Sequence, residues 1–84
     1  MLAKFIKDKR EEVGLTQDDV GQSLLFKCGQ FISNWERGVS YPPLTTLKPL
    51  AKKYGVEVEL LKAVYAQQLK ADFATELTEK LELV

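Results

Sequence analysis

Apolar side chains recur at helical spacing in the first thirteen residues. The stripe consists of Leu2, Phe5, Ile6 and Val13. This periodicity predicts an amphipathic helix, and Gly14 is expected to end it.

A second helix is predicted from its start signal. Thr16 suits the N-cap position, and Asp19 follows three residues later as the partner in a capping box. The segment QDDVGQSLLF, residues 17–26, should then bury Val20, Leu24 and either Leu25 or Phe26. Gly21 weakens this helix by up to about 1 kcal/mol relative to Ala, so another element is expected to press on the backbone there.

The segment GQFISNWERG, residues 29–38, divides into two faces when it is drawn as a helix at about 100° per residue. One face holds Phe31, Ile32, Trp35 and Glu36. The opposite face holds Gln30, Ser33, Asn34 and Arg37. The indole is therefore predicted to point into the core, and the outer face is a row of hydrogen-bonding side chains.

Two further helices complete an all-α chain of five helices. The fourth is predicted over residues 43–54 and ends at Gly55, with Pro49 expected to kink or shorten it. The fifth runs from residue 57 or 58 to about 82, an extended C-terminal helix roughly 36 Å long. Its first apolar residues, expected to face the core, are Leu60, Leu61, Val64 and Tyr65.

Later in the fifth helix the apolar residues move around the helix axis. They recur every four residues, at Leu69, Phe73, Leu77 and Leu81. A four-residue step overshoots one helical turn by about 40°, so this stripe faces away from the bundle. An exposed apolar stripe predicts an interface, and residues 66–84 are interpreted as a dimer contact. The alternative is that they fold back on the same chain or fray.

The composition narrows the classes of function. The 84 residues include no His and one Cys, Cys28, so neither a His-based catalytic triad nor a four-ligand zinc site can be assembled. No glycine-rich phosphate loop is present. An enzyme, a metal and a cofactor are therefore not expected. The lone thiol favours the cytoplasm, and no apolar run approaches the roughly 20 residues that cross a bilayer.

The charge is divided between the two parts of the chain, although the formal net charge is zero. Residues 1–55 carry nine Lys and Arg against six Asp and Glu, a balance of +3, and residues 56–84 carry three against six, a balance of −3. This division indicates a basic working module with an acidic appendage. Two short helices joined by a glycine-containing turn are typical of a helix-turn-helix, which places its second helix in the major groove of DNA.

Residues 4 to about 62 resemble the XRE, or lambda-repressor-like, family of bacterial and phage regulators. Three blocks carry the resemblance, in the family's order: KREEVGLTQDDVGQSL, ISNWERG and PPLTTLKPLAKKYGVEVELL. The resemblance implies a five-helix bundle that binds a two-fold related operator as a dimer. We therefore interpret residues 1–62 as a DNA-binding domain, which makes the protein a sequence-specific regulator, expected to be a repressor. Residues 63–84 are then a helical extension. The alternative is an antitoxin-like module that binds a protein partner.

The resemblance also implies roles for single residues. Gln17 matches the residue that contacts a phosphate, and Gln30, Ser33 and Asn34 match positions that face base edges. Arg10 and Glu36 match an internal ion pair, which the helical periodicity supports independently because each charge lies beside a core residue. Amide side chains suit adenine, to which they present a donor and an acceptor.

For the remaining candidate DNA contacts the sequence leaves alternatives open. Thr16, Lys27 and Arg37 are candidates for phosphate contacts, with plain solubility as the alternative for the two cations. The turn LFKCGQF, residues 25–31, is one residue longer than the family's, which leaves Lys27, Gly29 or Gln30 at the first base-reading position. Phe31 could pack inward or touch a thymine methyl group.

Overall fold

Five α-helices make up most of the part of the chain that the structure, a computed structural model, describes: residues 1–26 and 28–82. They are α1 (Leu2–Glu12), α2 (Gln17–Ser23), α3 (Gln30–Glu36), α4 (Leu47–Tyr54) and α5 (Val58–Glu82). A single 3-10 turn, Leu44–Thr46, precedes α4, and these ranges contain no strand. The all-α prediction is confirmed.

All five helices contribute side chains to one core. Its most buried side chains are Ile6, Val20, Ile32, Leu50 and Leu61. Trp35 of α3 lies among them and is 3% exposed, as predicted from its position in the sequence. Contact with several helices stabilises α3, because seven residues are too few for a helix to be stable alone.

Two helix boundaries are set by residues that the sequence singled out. Gly55 ends α4 in the left-handed conformation, with φ of 68°. Pro49 is the third residue of α4, where its missing N–H would have no partner within the helix. The expected fourth helix is accordingly shortened, and its first turn is the 3-10 turn.

Two expectations about apolar residues and one about a helix end were wrong. Val13 is the C-cap of α1 and is exposed, and Leu60 is half-exposed in the first turn of α5. The second helix ends at Ser23 rather than at Phe26. Each of these positions lies in the first turn of a helix or at its C-terminal end, where a side chain can reach solvent although the helical periodicity places it on the apolar face.

Buried side chains and hydrogen bonds hold the first half of α5 against the bundle. Leu61 and Tyr65 are buried, and the Tyr65 hydroxyl donates to the Pro42 carbonyl at 2.9 Å. One turn later the Leu2 backbone N–H donates to Gln68 Oε1 at 3.1 Å. The Tyr41 hydroxyl also hydrogen-bonds the Asp72 carboxylate.

Beyond Asp72, α5 continues outward and makes the longest dimension of the molecule 46 Å. The apolar stripe of α5, which begins one turn before Asp72, is exposed by between 42% and 67%: Leu69, Phe73, Leu77 and Leu81. The part of the predicted dimer segment formed by residues 83 and 84 lies outside the described residues.

Candidate nucleic-acid interface

The start of α2 is fixed by a reciprocal capping box. The Thr16 hydroxyl accepts from the Asp19 N–H at 3.0 Å, and the Asp19 carboxylate accepts from the Thr16 N–H at 3.0 Å. The hydrogen bond from the Thr16 N–H lowers the pKa of Asp19 below its ordinary value. This box places Gln17 as the first residue of α2, next to α3.

The turn between α2 and α3 begins with an unusual backbone conformation. Leu25 has φ of 66°, which is rare for a residue other than Gly, and its side chain is 93% exposed. The Phe26 N–H then donates back to the Gly21 carbonyl at 2.8 Å. Phe26, not Leu25, is therefore the residue that packs inward, and its ring makes an edge-to-face contact with Trp35 at a centroid distance of 5.8 Å.

The turn also packs directly against the backbone of α2. A Cβ atom at Gly21 would lie 2.4 Å from the Cys28 carbonyl oxygen, so glycine is required there, as the sequence predicted. A Cβ atom at Gly29 would lie 2.6 Å from the Gln17 carbonyl carbon. The Gly29 N–H donates to Asp18 Oδ1 at 2.7 Å. These contacts fix the position of α3 relative to α2.

A buried ion pair joins α1 to α3. Arg10 Nε and Nη2 donate to the two Glu36 carboxylate oxygens at 2.7 and 3.0 Å, and the Glu36 side chain is only 2% exposed. This bidentate hydrogen bond raises the pKa of Arg10. Arg10 Nη1 also donates to the Leu15 carbonyl at 2.6 Å, and Gln17 Nε2 donates to Glu36 Oε1 at 3.0 Å. One carboxylate therefore orients the start of α2 as well as α1.

The outer face of α3 is a connected polar surface. Gln30 is exposed, Ser33 and Asn34 are half-buried, and Arg37 is exposed. Asn34 Oδ1 accepts from Gln30 Nε2 at 3.1 Å and from Arg37 Nη2 at 2.7 Å. Arg37 Nε donates to Ser33 Oγ at 3.3 Å. The four side chains of this surface point away from the face that carries Ile32, Trp35 and Glu36.

Phe31 borders this polar surface. One side of its ring packs on Phe26, at a centroid distance of 4.8 Å, and about half of the side chain is exposed. Phe31 can therefore pack on Phe26 and still present accessible ring surface to a thymine methyl group.

The first residue of α3 is Gln30, and its side chain is exposed. Gly29 is buried and contributes no side chain. Lys27 lies outside the described residues. At the start of α2, the Thr16 hydroxyl is engaged within the capping box and one amide hydrogen of Gln17 is engaged by Glu36.

Two residues of this region were not identified from the sequence. Asp18 fixes the turn by accepting from Gly29, although it is one of two adjacent acidic residues whose side chains point apart along α2. Leu25 provides the reversal of the chain. No local pattern marks Leu25, because its left-handed backbone accompanies contacts of Phe26, Cys28 and Gly29 with α2.

The paired helices α2 and α3, the short turn between them and the inward-facing Trp35 define a helix-turn-helix unit. A family model described as helix-turn-helix matches residues 6–61. The chain therefore belongs to this family, of the XRE or lambda-repressor-like type, whose members are DNA-binding regulators. Neither a curated protein nor a solved structure matches the chain significantly.

Within the described residues, none of the helices is both long enough and apolar enough to span a membrane.

Proposed function

We propose that this protein is a sequence-specific transcriptional repressor that places the outer face of α3 in the major groove of double-stranded DNA. The observation that carries the proposal is the division of α3 into two faces. Ile32, Trp35 and Glu36 fasten the helix to the bundle, and the opposite face presents Gln30, Ser33 and Asn34 with their polar atoms near the surface. Such a helix can approach base edges while its inner face stays packed against the bundle.

Base edges would be read by the amide and hydroxyl groups of Gln30, Ser33 and Asn34, with the accessible side of Phe31 against a thymine methyl group. These contacts would provide discrimination between sequences. They belong to one short helix, so they would span only a few neighbouring base pairs of each half-site.

Phosphates would be held by side chains on either side of α3. Thr16 and Gln17 lie at the start of α2, and Gln17 keeps one amide hydrogen that Glu36 does not use. Arg37 lies at the other end of α3, and Lys27 is a further candidate by its place in the sequence. Contacts of this kind position the domain without selecting a sequence.

The exposed stripe of α5, formed by Leu69, Phe73, Leu77 and Leu81, supports a homodimer on a palindromic operator. Burying these residues against the same residues of a second copy would remove apolar surface from water on both chains. The proposed activity is binding rather than catalysis, and it would take place in the cytoplasm.

A matched pair of variants tests the dimer by sedimentation. Leu77 is 47% exposed and Leu60 is 48% exposed on the same helix, but only Leu77 belongs to the stripe. Leu77→Glu should convert a dimer to a monomer, whereas Leu60→Glu should leave the mass unchanged. A monomeric wild-type chain, or equal masses for all three proteins, would reject the dimer.

A second candidate function uses the same stripe differently. An antitoxin-like protein would cover it with another protein, and the acidic balance of residues 56–84 would favour a basic partner. In that case Leu77→Glu would abolish partner binding while the mass of the isolated chain stayed that of a monomer.

Selection of bound duplexes from a random DNA pool tests the regulator directly. We expect a two-fold symmetric consensus, and binding to it should weaken at least tenfold, roughly, between 50 and 200 mM salt because phosphate contacts release counterions. Asn34→Ala should reduce discrimination between sites, whereas Lys52→Ala, an exposed cation on α4, should not. Failure to enrich any sequence would reject the proposed function.

A further inference from the structure

The hydrogen bonds of Asn34 limit what its side chain can offer to a base. Its Oδ1 accepts from Arg37 Nη2 at 2.7 Å and from Gln30 Nε2 at 3.1 Å. An amide oxygen has two lone pairs, and both are occupied here. The Nδ2 group, which carries two hydrogens, is the part of the amide that stays available.

Arg37 is held in place for this contact. Its Nε donates to Ser33 Oγ at 3.3 Å while its Nη2 donates to Asn34, so the guanidinium lies along the outer face of α3. A hydrogen bond from a charged guanidinium is stronger than one between neutral groups. The Asn34 carbonyl should therefore stay turned toward Arg37 when a duplex approaches.

Gln30 differs from Asn34 in this respect. It uses one Nε2 hydrogen for Asn34 and keeps its Oε1 and a second hydrogen. Gln30 can thus still present an acceptor and a donor side by side, whereas Asn34 presents donors alone.

We propose that Asn34 acts only as a donor and reads guanine, and that Arg37 is the positioning residue that imposes this choice. Guanine shows two acceptors, N7 and O6, in the major groove, and one nitrogen with two hydrogens can bridge them as a lysine ammonium does. Adenine requires an acceptor for its N6 amino group, which the occupied Oδ1 does not supply. The positive guanidinium beside Asn34 also favours a base edge made of acceptors. Gln30 remains suited to adenine. This inference rests on the proposed DNA-binding function.

The first experiment identifies the base pair that Asn34 reads. Duplexes are selected from a random pool with the full wild-type chain and with Asn34→Ala. The position whose preference disappears in Asn34→Ala should be a G·C pair in the wild-type consensus. Replacing that guanine by 7-deazaguanine, which lacks the N7 acceptor, should weaken wild-type binding about tenfold and leave Asn34→Ala unaffected.

The second experiment separates positioning from phosphate binding. The ratio of affinities for duplexes with guanine and with adenine at that position is measured for Arg37→Leu, Arg37→Lys and the control Lys52→Leu. Arg37→Leu releases one lone pair of Asn34 and should lower the ratio about tenfold, and Arg37→Lys, which keeps a charged donor, should retain most of it. Lys52→Leu should leave the ratio unchanged. Matching circular dichroism spectra and melting temperatures establish that the variants are folded.

Three results would overturn the inference while leaving the proposed function intact. One is a consensus with adenine at the position that Asn34→Ala affects. Another is a consensus in which Asn34→Ala alters no position. The third is a loss of affinity in Arg37→Leu that is equal for both duplexes, as expected of a residue that contacts only phosphate. A chain that enriches no sequence would instead reject the proposed function itself.

Discussion

The two halves of α5 share one uninterrupted backbone and differ in what surrounds them. In the first half Leu61 and Tyr65 are buried in the bundle, and in the second half Leu77 and Leu81 are exposed. The first half is stabilised by contacts with α4 and α1. The second half is rich in Ala, Leu, Glu and Lys, which favour a helix without tertiary contacts. The helix can continue outward because its docked half already provides the costly first turn.

The two halves of α5 are therefore stabilised differently, the first by tertiary contacts and the second by the helix propensity of its residues. Substitutions in the bundle should change the global free energy of unfolding. Equivalent substitutions in the outer half of α5 should change it little, unless a second chain covers them.

The buried ion pair should give the largest effect. Arg10→Ala leaves the carboxylate of Glu36 buried without its cation, and we expect a loss of about 3–5 kcal/mol in the free energy of unfolding. Urea denaturation measures it. Adding Glu36→Gln to Arg10→Ala should recover part of the loss, because a neutral amide costs less to bury. A loss below about 1 kcal/mol is typical of a solvent-exposed ion pair and would contradict the burial of Arg10 and Glu36.

Truncating the same residue type in each half of α5 should sharpen the contrast. Leu61→Ala should cost about 2–5 kcal/mol because it leaves a cavity in the core. Leu77→Ala should cost less than about 0.5 kcal/mol in a monomer. Chemical denaturation at low protein concentration compares the two. Equal losses would mean that the outer half of α5 belongs to the cooperative core.

The capping box at the start of α2 tests how much a local hydrogen bond contributes to the stability of the packed bundle. Thr16→Ala removes the acceptor for the Asp19 N–H and should cost about 1 kcal/mol. The effect can be measured by thermal unfolding, with Ser40→Ala, in the loop after α3, as an exposed control. A Thr16→Ala chain as stable as the control would show that packing alone fixes the start of α2.

Asp19 gives this cap a pH dependence. Its pKa is lowered in the folded protein, so its contribution is fully present above the unfolded value of 3.8 and is lost as the pH falls through the lower folded value. Stability should therefore decline more steeply below about pH 4 in the wild type than in Asp19→Asn. Parallel slopes in an acid titration of stability would contradict this prediction.

The exposed ion pair on the outer part of α5 should give the smallest effect. Lys80 Nζ lies 3.0 Å from Glu76 Oε1, and both side chains are more than half exposed. Lys80→Ala should change the free energy of unfolding by at most about 0.5 kcal/mol. The exposed ion pair would then contribute several-fold less to the free energy of unfolding than the buried pair of Arg10 and Glu36. An effect as large as that of Arg10→Ala would remove the distinction between the two regions.

Much of the fold followed from the sequence because the local signals agreed with the tertiary structure. The two faces of α3, the capping box at Thr16, the close approach at Gly21 and the end of α4 at Gly55 each depend on residues near one another in sequence. The length of α5 followed in the same way from the absence of Gly and Pro.

The turn between α2 and α3 could not be predicted in the same way. Leu24 and Leu25 extend the helical pattern of α2, yet the chain reverses at Leu25 with φ of 66°. The reversal is decided by contacts across the turn, namely Cys28 on Gly21 and Asp18 on Gly29. The hydrogen bonds that converge on Asn34 were also not evident, because a helical projection shows which side chains share a face and not how their amides are oriented.

The inner and outer faces of α3 can be changed separately in protein design. Apart from Phe31, which packs on Phe26 and is also a candidate base contact, the side chains that hold the helix differ from those that would select DNA. The outer face can therefore be changed while the scaffold is kept. A designer would have to vary Arg37 together with Asn34, since exchanging the amide alone would leave the guanidinium without its acceptor. Libraries built on this chain should therefore randomise the two positions jointly, and they should retain Gly21, where any side chain would clash with the Cys28 carbonyl.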